Sequence, residues 1–465
     1  MRKNKQHKFL YPVIMSVMLS LFVFACGGGG GSDGGGASEP VLTGTVAISG
    51  TAKEGSQLTA VISADANGIP IYQWEWINGE TTSNVGTNNI AYNIKVDDIG
   101  GIIRVSVSYT GYSGSITCTT DIVAPANSGA GTSVSPFLVY SVETLEKVGT
   151  ETETGKWKLS AHYKQIVDID LTGISWIPIG DDSNNSDDSR FTGTYDGNNK
   201  KILNLTINSG GSLIGLFGII GTNGLVKNLG LEGVDVTGNA SEVGGVVGYN
   251  GGGTVSNCYV TGNVAGRYHV GGVVGRVFVG IVQNCYTTGS VKSQGSAGGV
   301  VGFNQTGIIQ NCYSTCDIVG TNDVGGIIGY TGFGTVLNCY ATGKVEGSSF
   351  VGGVVGRVYT NVDRVKNSVA LNSTVTGSTD VGRVLGGFDG PPSETLSNNY
   401  ARGDMGGSTA LFTVKTLIGK DGVDIDTTDY LLATWWTTGV GTTWVTAAWD
   451  EGIWDIADGR LPLLR

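Results

Sequence analysis

The hexapeptide Val243-Gly244-Gly245-Val246-Val247-Gly248 decides the fold, because it returns at a fixed step along the chain. Four related copies follow at intervals of 27 residues, and the five glycine pairs are Gly244-Gly245, Gly271-Gly272, Gly298-Gly299, Gly325-Gly326 and Gly352-Gly353. The motif Asn-Cys-Tyr keeps the same step and opens at Asn257, Asn284, Asn311 and Asn338. A fixed period of about 20 to 50 residues is typical of a solenoid, in which each repeat stacks as one coil on the last. Since paired Val and Ile residues favour strands, the sequence predicts a parallel β-helix with 27-residue repeats.

Composition agrees with an all-β chain that is rich in turns. The 465 residues include 78 Gly and 9 Pro, and 14% of them are charged. The glycines follow no Gly-X-Y period, which excludes a collagen triple helix. Those of the repeats are expected to allow close backbone approach or positive φ at corners. The formal net charge of −11 would repel a phosphate backbone, so we expect no nucleic-acid partner.

The first 25 residues have the pattern of an export signal. Cationic residues come first, and a mostly apolar run from Phe9 to Phe24 follows. The run ends in Ala25-Cys26, which resembles the lipobox of bacterial lipoproteins. That resemblance implies a signal peptide at 1–25, acyl chains on Cys26 and a Gly/Ser-rich tether at 26–39 that lifts the chain off a membrane. The alternative is an ordinary secretory signal followed by a chance cysteine.

Residues 40–124 form the first predicted folded unit. Short alternating runs, separated by turn clusters such as Asn78-Gly79, predict about seven strands in a β-sandwich. The segment resembles the Ig-like domains of bacterial surface proteins, and Trp74 lies where that resemblance places a core tryptophan. Cys118 has no second cysteine in this unit, which excludes an inter-sheet disulfide of the antibody type. Residues 125–136 are predicted to be a linker.

The repeats are predicted to carry a cap at each end. Residues 137–190 form the first cap, with a short helix from Ser141 to Val148, and the coils occupy 191–407. The order G-G-V-V-G, a Gly/Asn turn and V-x-N-C-Y-x-T-G resembles the GLUG motif of bacterial surface proteins. This resemblance implies a β-solenoid and a role in adhesion. A cap would cover strand edges that otherwise invite aggregation.

Side chains that recur at the 27-residue step are expected to form columns along the solenoid. The asparagines of Asn-Cys-Tyr would then form an amide ladder, in which each side chain bonds to the next. The tyrosines would stack on one another: Tyr259, Tyr286, Tyr313 and Tyr340. The cysteines are expected to be buried free thiols, because side chains in register rarely adopt the dihedral angle of a disulfide: Cys258, Cys285, Cys312 and Cys339.

Five tryptophans lie in the segment 408–465, which is predicted to be the second cap. They are Trp435, Trp436, Trp444, Trp449 and Trp454. One interpretation is a hydrophobic lid over the last coil. The other is an aromatic platform that binds a sugar.

Sequence motifs of catalysis are absent, so no catalytic residue is assigned. The three histidines, His7, His162 and His269, share no zinc-binding spacing, and no G-x-S-x-G motif occurs. Parallel β-helices also include polysaccharide lyases and hydrolases, which need converging charged groups. Glu242 and Asp323 occupy one register but lie three coils apart, about 15 Å at strand spacing, which is too far for a glycosidase pair.

An acidic loop is the candidate metal site. Its carboxylates flank a run of Ser and Asn, and such oxygen ligands suit Ca²⁺: Asp181, Asp182, Asp187 and Asp188. The loop has neither the residue order nor the glycine of an EF-hand, so the alternative is a solvated insertion. No other cofactor is expected.

The residue after each Gly-Gly-Val-Val-Gly forms the candidate ligand-binding column. Its members are Tyr249, Arg276, Phe303, Tyr330 and Arg357. These side chains could bind a glycan or a host or matrix protein. They could equally stabilise the wall of the solenoid through cation–π stacking.

Together these features predict an extracytoplasmic bacterial lipoprotein, anchored at the outer membrane or cell surface through its lipid, that adheres or binds and does not catalyse a reaction. Two alternatives stay open. One is a carbohydrate-active β-helix enzyme, either a polysaccharide lyase or a hydrolase. The other is a structural envelope or stalk protein.

Overall fold

The computed structural model describes residues 39–465, apart from 80, 151–156, 240, 360–363, 390–395, 427 and 438–448. The predicted signal peptide, Cys26 and all but the last residue of the tether therefore lie outside the described residues. The chain divides after Ser128 into two units. In the part of the chain that is described, no helix is long and apolar enough to cross a membrane.

The described strands of the first unit form two antiparallel sheets. One sheet consists of Gly44–Ser49, Gln57–Ala64 and Ala91–Asn93. The other consists of Thr81–Thr87, Pro70–Asn78, Ile102–Tyr109 and Ile116–Thr119, and a 3₁₀ helix spans Val96–Asp98. Trp74 of the second sheet is fully buried and stacks on Tyr92 of the first, with 5.8 Å between ring centroids. This contact joins the two sheets across an apolar core.

The second unit is a parallel β-solenoid of about 10 turns in its described residues, which confirms the prediction from the repeat. Its short sheet consists of Val243–Gly244, Val270–Gly271, Ala297–Gly298, Asn322–Gly325, Ser349–Gly352 and Thr379–Gly382. Its middle sheet consists of Phe217–Ile220, Val247–Asn250, Val274–Val277, Val301–Asn304, Ile328–Thr331, Val355–Val358 and Leu385–Phe388.

The third and longest parallel sheet, called the long sheet, takes strands from successive coils. In chain order its described strands are Phe137–Val139, His162–Gln165, Ile169–Asp170, Thr194–Leu203, Thr206–Ser209, Leu225–Gly238, Thr254–Gly266, Ile281–Gln283, Tyr286–Ser293, Ile308–Gln310, Tyr313–Ser314, Asp317–Val319, Thr335–Leu337, Tyr340–Ala341, Val345–Glu346, Val365–Lys366, Val369–Ala370, Thr374–Thr376, Leu396–Ser397, Tyr400–Arg402, Gly406–Gly407 and Val423–Ile425.

Corresponding residues of successive coils pair directly. Val270 pairs with Ala297 in the short sheet, and Tyr286 pairs with Tyr313 in the long sheet. The interior is filled by Val and Ile side chains, such as that of Val300, which are fully buried. Burying one such side chain contributes about 1.5 to 3 kcal/mol. The core therefore continues from coil to coil.

Two walls of the solenoid approach closely at the second glycine of each motif. A Cβ added to Gly299 would lie 2.6 Å from Cβ of Ser314 and would collide with the carbonyl oxygen of Gly326. The last glycine is equally confined, since a Cβ on Gly302 would lie 2.5 Å from the nitrogen of Val270. The motif glycines thus permit close approach. Positive φ does not occur at the described motif glycines. It occurs at other glycines of the coils, Gly262, Gly280 and Gly289, and at the asparagines of the long sheet.

The predicted asparagine ladder is confirmed, and it is longer than the Asn-Cys-Tyr motif indicates. Its members in the described residues have φ of 49–54° and turn the chain at corners of the long sheet: Asn228, Asn257, Asn284, Asn311, Asn338, Asn367 and Asn398. Each Nδ2 after the first donates to Oδ1 of the preceding member over 3.0–3.3 Å. Asn228 donates to the Asp196 carboxylate at 3.0 Å. Asparagine suits this position because it tolerates positive φ and carries both a donor and an acceptor.

The tyrosine and cysteine columns also form. The tyrosines stack with ring centroids 4.8–5.0 Å apart and interplanar angles of 1–7°. The four cysteines of the column are buried and free, as predicted. Burial raises the pKa of the Cys258 and Cys312 thiols well above the usual value. These thiols therefore pack as small apolar groups.

The predicted helix lies near the start of the second unit. It spans Val142–Glu146, and the N-cap Ser141 accepts a hydrogen bond at Oγ from the amide of Thr144. Leu145 and Val148 are buried in the same core as the coils. The helix thus extends the solenoid interior at its N-terminal end.

The described C-terminal tryptophans do not form a lid over the last coil. Trp436, Trp449 and Trp454 pack beside the long sheet, where their ring centroids lie 6.0–6.3 Å from that of Tyr340. They belong to an apolar cluster that is separate from the solenoid interior. The stacked tyrosine rings form an apolar surface on the outside of the long sheet, and the tryptophans cover part of it at Tyr340.

The segment that begins at Met405 closes the last coil instead. Phe412 packs against the solenoid interior. Arg383 is 1% exposed, its guanidinium pairs with Asp424, and its backbone amide donates to Oδ1 of Asp421. The remaining described elements are the 3₁₀ helices Thr409–Leu411 and Asp429–Leu431, the helix Ala433–Thr437 and the paired strands Trp454–Asp455 and Leu463–Leu464. Trp444 lies outside the described residues.

Candidate binding surface

Two columns of side chains run along the solenoid at the middle sheet. The arginine column is the one predicted from the sequence, and its members pair in register from coil to coil: Tyr249, Arg276, Phe303, Tyr330 and Arg357. The turn column consists of the residues that directly precede each Val/Ala-Gly-Gly: Glu242, His269, Ser296, Asp323 and Phe350. All of its members except Ser296 have positive φ, so the chain bends at this column. The two columns together are called the strip.

Stacking holds the arginine column together. The guanidinium carbon of Arg276 lies 5.4 Å from the ring centroid of Tyr249 and 5.3 Å from that of Phe303. The guanidinium carbon of Arg357 lies 5.4 Å from the ring centroid of Tyr330. Each such contact contributes about 0.5 to 1 kcal/mol at exposed sites. These contacts therefore help to stabilise the wall of the solenoid.

Carboxylates surround both arginines of the strip. Glu242 Oε1 lies 3.6 Å from Arg276 Nη1. Asp323 Oδ1 lies 3.6 Å from Arg357 Nη1, and Asp389 also pairs with the Arg357 guanidinium. The two guanidinium charges are thus offset by three nearby carboxylates.

Burial changes the titration of acidic groups in the strip. Burial raises the pKa of Asp323, and the Arg357 charge and a hydrogen bond from Ser296 offset only part of this effect. Burial also raises the pKa of Tyr330 to about 12, and the charge of Asp389 adds to the rise. Partly desolvated polar groups with perturbed pKa values are a feature of functional sites.

Four buried polar atoms of the strip make no hydrogen bond within the described structure: His269 Nδ1, Arg276 Nε, Asp323 Oδ1 and Arg357 Nε. Two of these atoms, His269 Nδ1 and Asp323 Oδ1, have a charged neighbour that lies slightly too far away for a hydrogen bond. His269 Nδ1 lies 3.5 Å from Glu242 Oε1, and Asp323 Oδ1 lies 3.6 Å from Arg357 Nη1, beyond the usual range of a hydrogen bond. Leaving such an atom unsatisfied costs about 1 to 3 kcal/mol. The strip therefore contains four polar atoms that are enclosed by the wall of the solenoid and unsatisfied there.

The four aspartates of the acidic loop do not gather around one point. Arg190 Nη2 donates to Asp182 Oδ1 at 2.6 Å, and Arg190 Nη1 lies 3.8 Å from Asp187 Oδ1. Asp181 Oδ1 accepts from the amide of Ser183, while the amide of Asp188 donates to a serine hydroxyl. Nowhere in the described residues do three His, Cys, Asp or Glu side chains form a group that could hold a metal ion. The Arg190 guanidinium thus already offsets the charges of Asp182 and Asp187.

The acidic loop adjoins the N-terminal end of the strip. A Cβ added to Gly251 would lie 3.4 Å from Cε1 of Tyr249 and 3.9 Å from Nη1 of Arg190. Arg190 therefore lies close to the first member of the arginine column. The fold thus brings together two candidate sites that the sequence separates.

Exposed aromatic residues border the strip on the turn that follows the middle sheet. Phe278, Phe333 and Tyr359 are 41%, 49% and 49% exposed, and we call them the aromatic turn. Phe333 and Tyr359 contact edge to face at 5.5 Å. Gln305 lies in the coil between Phe278 and Phe333, and its Oε1 accepts from Arg276 Nη2 at 2.8 Å. The strip and the aromatic turn are therefore one continuous surface.

The sequence indicates one column of the strip and hides the other. The turn column has a different residue in each coil, so no repeated residue type marks it. Its signal is positional, since each member directly precedes the short glycine-pair strand. His269, considered from the sequence only for zinc spacing, lies 5.1 Å from the ring of Phe303.

The repeats match a known sequence motif. The pattern described as "The GLUG motif" matches residues 239–265, 266–292, 293–319 and 320–346. These four coils are GLUG repeats. The match confirms the resemblance that the sequence shows, and it coincides with the most regular part of the solenoid.

Two curated proteins share part of this sequence. A "Putative Gly-rich membrane protein" of Evansella cellulosilytica is 39% identical over 131 residues, which cover 26% of this chain and 14% of that protein. Halomucin of Haloquadratum walsbyi is 35% identical over 147 residues, which cover 30% of this chain and 2% of halomucin. The chain thus spans a small fraction of the length of both relatives.

One solved structure overlaps much of the chain. It is described as a "putative immunoglobulin A1 protease from Bacteroides ovatus". The two share 22% identity and a TM-score of 0.47, and the match covers 72% of this chain and 94% of that one.

Proposed function

We propose that the chain is an extracytoplasmic, surface-anchored protein whose solenoid binds an external ligand in adhesion, without catalysis. The strip is the observation that carries this proposal. It presents arginine and aromatic side chains along one face of a regular array. Arginine and aromatic residues are enriched where proteins bind partners.

The descriptions of the relatives support a location outside the cytoplasm. One relative is described as a membrane protein and the other is a halomucin. We propose that the anchor is a lipid on Cys26 in the outer membrane. Cys26→Ser should move the chain from the membrane fraction to the soluble fraction, whereas Cys118→Ser should leave it in the membrane. An unchanged membrane fraction for Cys26→Ser would contradict lipidation.

We propose that the first unit is an Ig-like domain placed between the anchor and the solenoid. Its paired antiparallel sheets and the buried Trp74 support this assignment. Limited proteolysis of the full chain should then cut first within residues 125–136. Early cleavage inside 40–124 would argue against a folded spacer.

The binding role is tested on cells. Cells that display the full chain should adhere to surfaces coated with glycans or matrix proteins, and cells that lack it should adhere less. Equal adhesion on every coated surface would overturn the proposed function.

A further inference from the structure

We propose that the tyrosine column and the C-terminal tryptophans form a path that carries an electron hole from the tryptophans to Tyr259, where the Glu232 carboxylate accepts the phenolic proton. The hole is produced by a diffusible one-electron oxidant, such as a small inorganic radical. The path would protect the buried aromatic rings beside the long sheet from oxidation. The tryptophan cluster at its start consists of Trp435, Trp436, Trp449 and Trp454.

The rings of the path follow one another in close contact. Inside the tryptophan cluster, the centroids of neighbouring rings lie 4.5–4.9 Å apart. Trp454 lies 6.0 Å from Tyr340, and the nearly parallel tyrosine rings continue to Tyr259 at intervals of 4.8–5.0 Å. Indole and phenol rings lose an electron more easily than the benzene ring of phenylalanine, and electrons transfer rapidly between rings in contact. A hole formed in the cluster can therefore move along the column.

Exposure to solvent rises along the path. Trp454 is fully buried, Tyr340 and Tyr313 are 1% and 6% exposed, and Tyr286 and Tyr259 are half-buried. Oxidation products of a buried indole contain added oxygen, and burying such polar groups is costly. A radical at Tyr259 instead lies near solvent, where a reductant can reach it. The path thus leads from the interior to the surface.

The phenols at the two ends of the column donate to different acceptors. Tyr259 donates to Glu232 Oε1 at 2.7 Å, whereas Tyr340 donates to the carbonyl oxygen of Pro462 at 2.6 Å. An oxidised phenol is a strong acid, so it forms a neutral radical where a base accepts its proton. A carboxylate is such a base, and a backbone carbonyl is a far weaker one. We therefore expect the radical to settle at Tyr259.

Glu232 is ionised and held in place beside Tyr259. Burial alone would raise the pKa of Glu232, but hydrogen bonds from Tyr259 and Lys201 and the Lys201 charge bring it below the usual value. Lys201 Nζ lies 2.9 Å from Glu232 Oε1. Gly230 leaves room for the tyrosine, because a Cβ added to this glycine would collide with Cζ of Tyr259. The hydrogen bond needed for proton transfer is thus already formed.

One electron and one proton move in each oxidation. A tryptophan gives an electron to the oxidant, which is thereby reduced, and an indole radical cation remains. Tyr259 then returns an electron to the indole through the intervening tyrosines and gives its proton to Glu232, so that a neutral tyrosyl radical remains. A diffusible reductant such as a thiolate restores Tyr259 by donating one electron, while Glu232 returns the proton. The thiolate becomes a thiyl radical.

Oxidation of the purified full chain by azidyl radicals, in the presence of a nitroso spin trap, tests the path. These radicals remove one electron from indole rings, and peptide mapping by mass spectrometry locates both trap adducts and hydroxylated tryptophans. Among the tyrosines of the column, adducts in the wild-type chain should form chiefly at Tyr259. The tryptophan cluster should show little hydroxylation.

The double variant Tyr286→Phe/Tyr313→Phe interrupts the path and keeps its shape. Two stacked rings remain, but benzene is much harder to oxidise than phenol. The variant should therefore form at least about tenfold fewer adducts at Tyr259 and more hydroxylated tryptophan in the cluster. Adducts at Tyr259 that are as frequent as in the wild type would show direct attack on this half-buried ring and would overturn the proposal.

Two single variants complete the test. Tyr268→Phe is the matched control, because Tyr268 is 42% exposed and is not part of the path, and it should react like the wild type. Glu232→Gln keeps an acceptor for the phenol but removes the base, so oxidation should shift from Tyr259 to the tryptophan cluster. An unchanged distribution of products in Glu232→Gln would contradict the assigned role of the carboxylate.

Discussion

Asn284 donates its side-chain amide to Oδ1 of Asn257 in the preceding coil, over 3.0 Å. Every described step of the ladder runs in this direction, and the chain of bonds ends on the carboxylate of Asp196. Hydrogen bonds that are aligned in this way polarise one another and become stronger. One residue type therefore turns the chain and ties neighbouring coils together.

Asn311 lies in the middle of the ladder and tests both roles. Asn311→Ala should lower the free energy of unfolding by about 2 to 4 kcal/mol, because two amide bonds are lost and Ala is strained at positive φ. Asn311→Gly should cost about 1 kcal/mol less, since Gly adopts this φ freely. Urea unfolding followed by circular dichroism measures both. If both variants lost the same free energy of unfolding, alanine would not be strained at this φ.

The carboxylate at the start of the ladder predicts a dependence on pH. Burial alone would raise the pKa of Asp196, but hydrogen bonds from Asn228 and Asn198 and the charge of Lys227 bring it below the usual value. A lowered folded-state pKa stabilises the fold above the unfolded pKa of about 3.9, and this stabilisation is lost as pH falls through the folded pKa.

Asp196→Asn should therefore lower stability by about 1 kcal/mol at pH 7, after allowance for solvent screening. Its difference from the wild type should shrink as the pH falls below about 3.9, the unfolded pKa, and on through the lower folded pKa. Thermal unfolding at about pH 7, 5, 3 and 2 provides the comparison. A difference that stays constant over this range would contradict a role for the charge.

The close approach of the two walls predicts a large effect of one methyl group. Gly299→Ala would push Cβ against Ser314 and Gly326 and should cost about 3 kcal/mol or more. Gly210→Ala is the control, because nothing lies within 4 Å of its added Cβ. The control should change stability by less than about 0.5 kcal/mol. Similar melting temperatures for the two variants would contradict the packing described for the motif.

Burial of the cysteine column predicts protection from thiol reagents. Cys118 is partly exposed, whereas Cys312 and its neighbours in the column are buried, and burial raises the pKa of the Cys312 thiol. Maleimide should label Cys118 in the native chain within minutes and the column only after unfolding. Peptide mapping by mass spectrometry locates the label. Rapid native labelling at Cys312 would indicate that the coils open locally.

The buried arginine of the last coil should be essential for stability. Arg383→Ala would remove a buried guanidinium that pairs with Asp424 and donates to the carbonyl oxygens of Arg402 and Gly422. Leaving these acceptors unsatisfied should cost about 2 to 4 kcal/mol. Arg402→Ala is the control, since Arg402 pairs with Asp404 at the surface and should cost at most about 1 kcal/mol. Calorimetry of both variants measures the difference. A loss for Arg383→Ala no larger than that of the control would show that the segment from Met405 does not close the solenoid.

The regular part of the fold follows from the sequence because a strict period converts sequence distance into position in space. Once Asn257 and Asn284 are assigned to adjacent coils, their side chains must meet, and the same holds for Tyr286 and Tyr313. The arginine column was predicted for the same reason. The period does not determine the backbone angles at which each coil turns. The positive φ of the asparagines was therefore not predicted.

The rest of the surface depends on contacts between residues that share no pattern. Arg190 satisfies two aspartates of its own loop, which a count of carboxylates cannot show. The tryptophans are near the end of the sequence, yet they pack beside Tyr340 because the stacked tyrosines leave an apolar flank uncovered. Partners of this kind are set by tertiary packing.

Coils of different length share one asparagine ladder. Thr331 pairs with Val358, 27 residues later, but Val336 pairs with Val365, 29 residues later. The two extra residues therefore lie between 358 and 365 in the sequence, while the bond between Asn338 and Asn367 is kept at 3.2 Å. The length of this connection is thus independent of the ladder, because connecting segments tolerate insertions better than the elements they join. Individual coils can gain residues at this connection while the stacked strands keep their register.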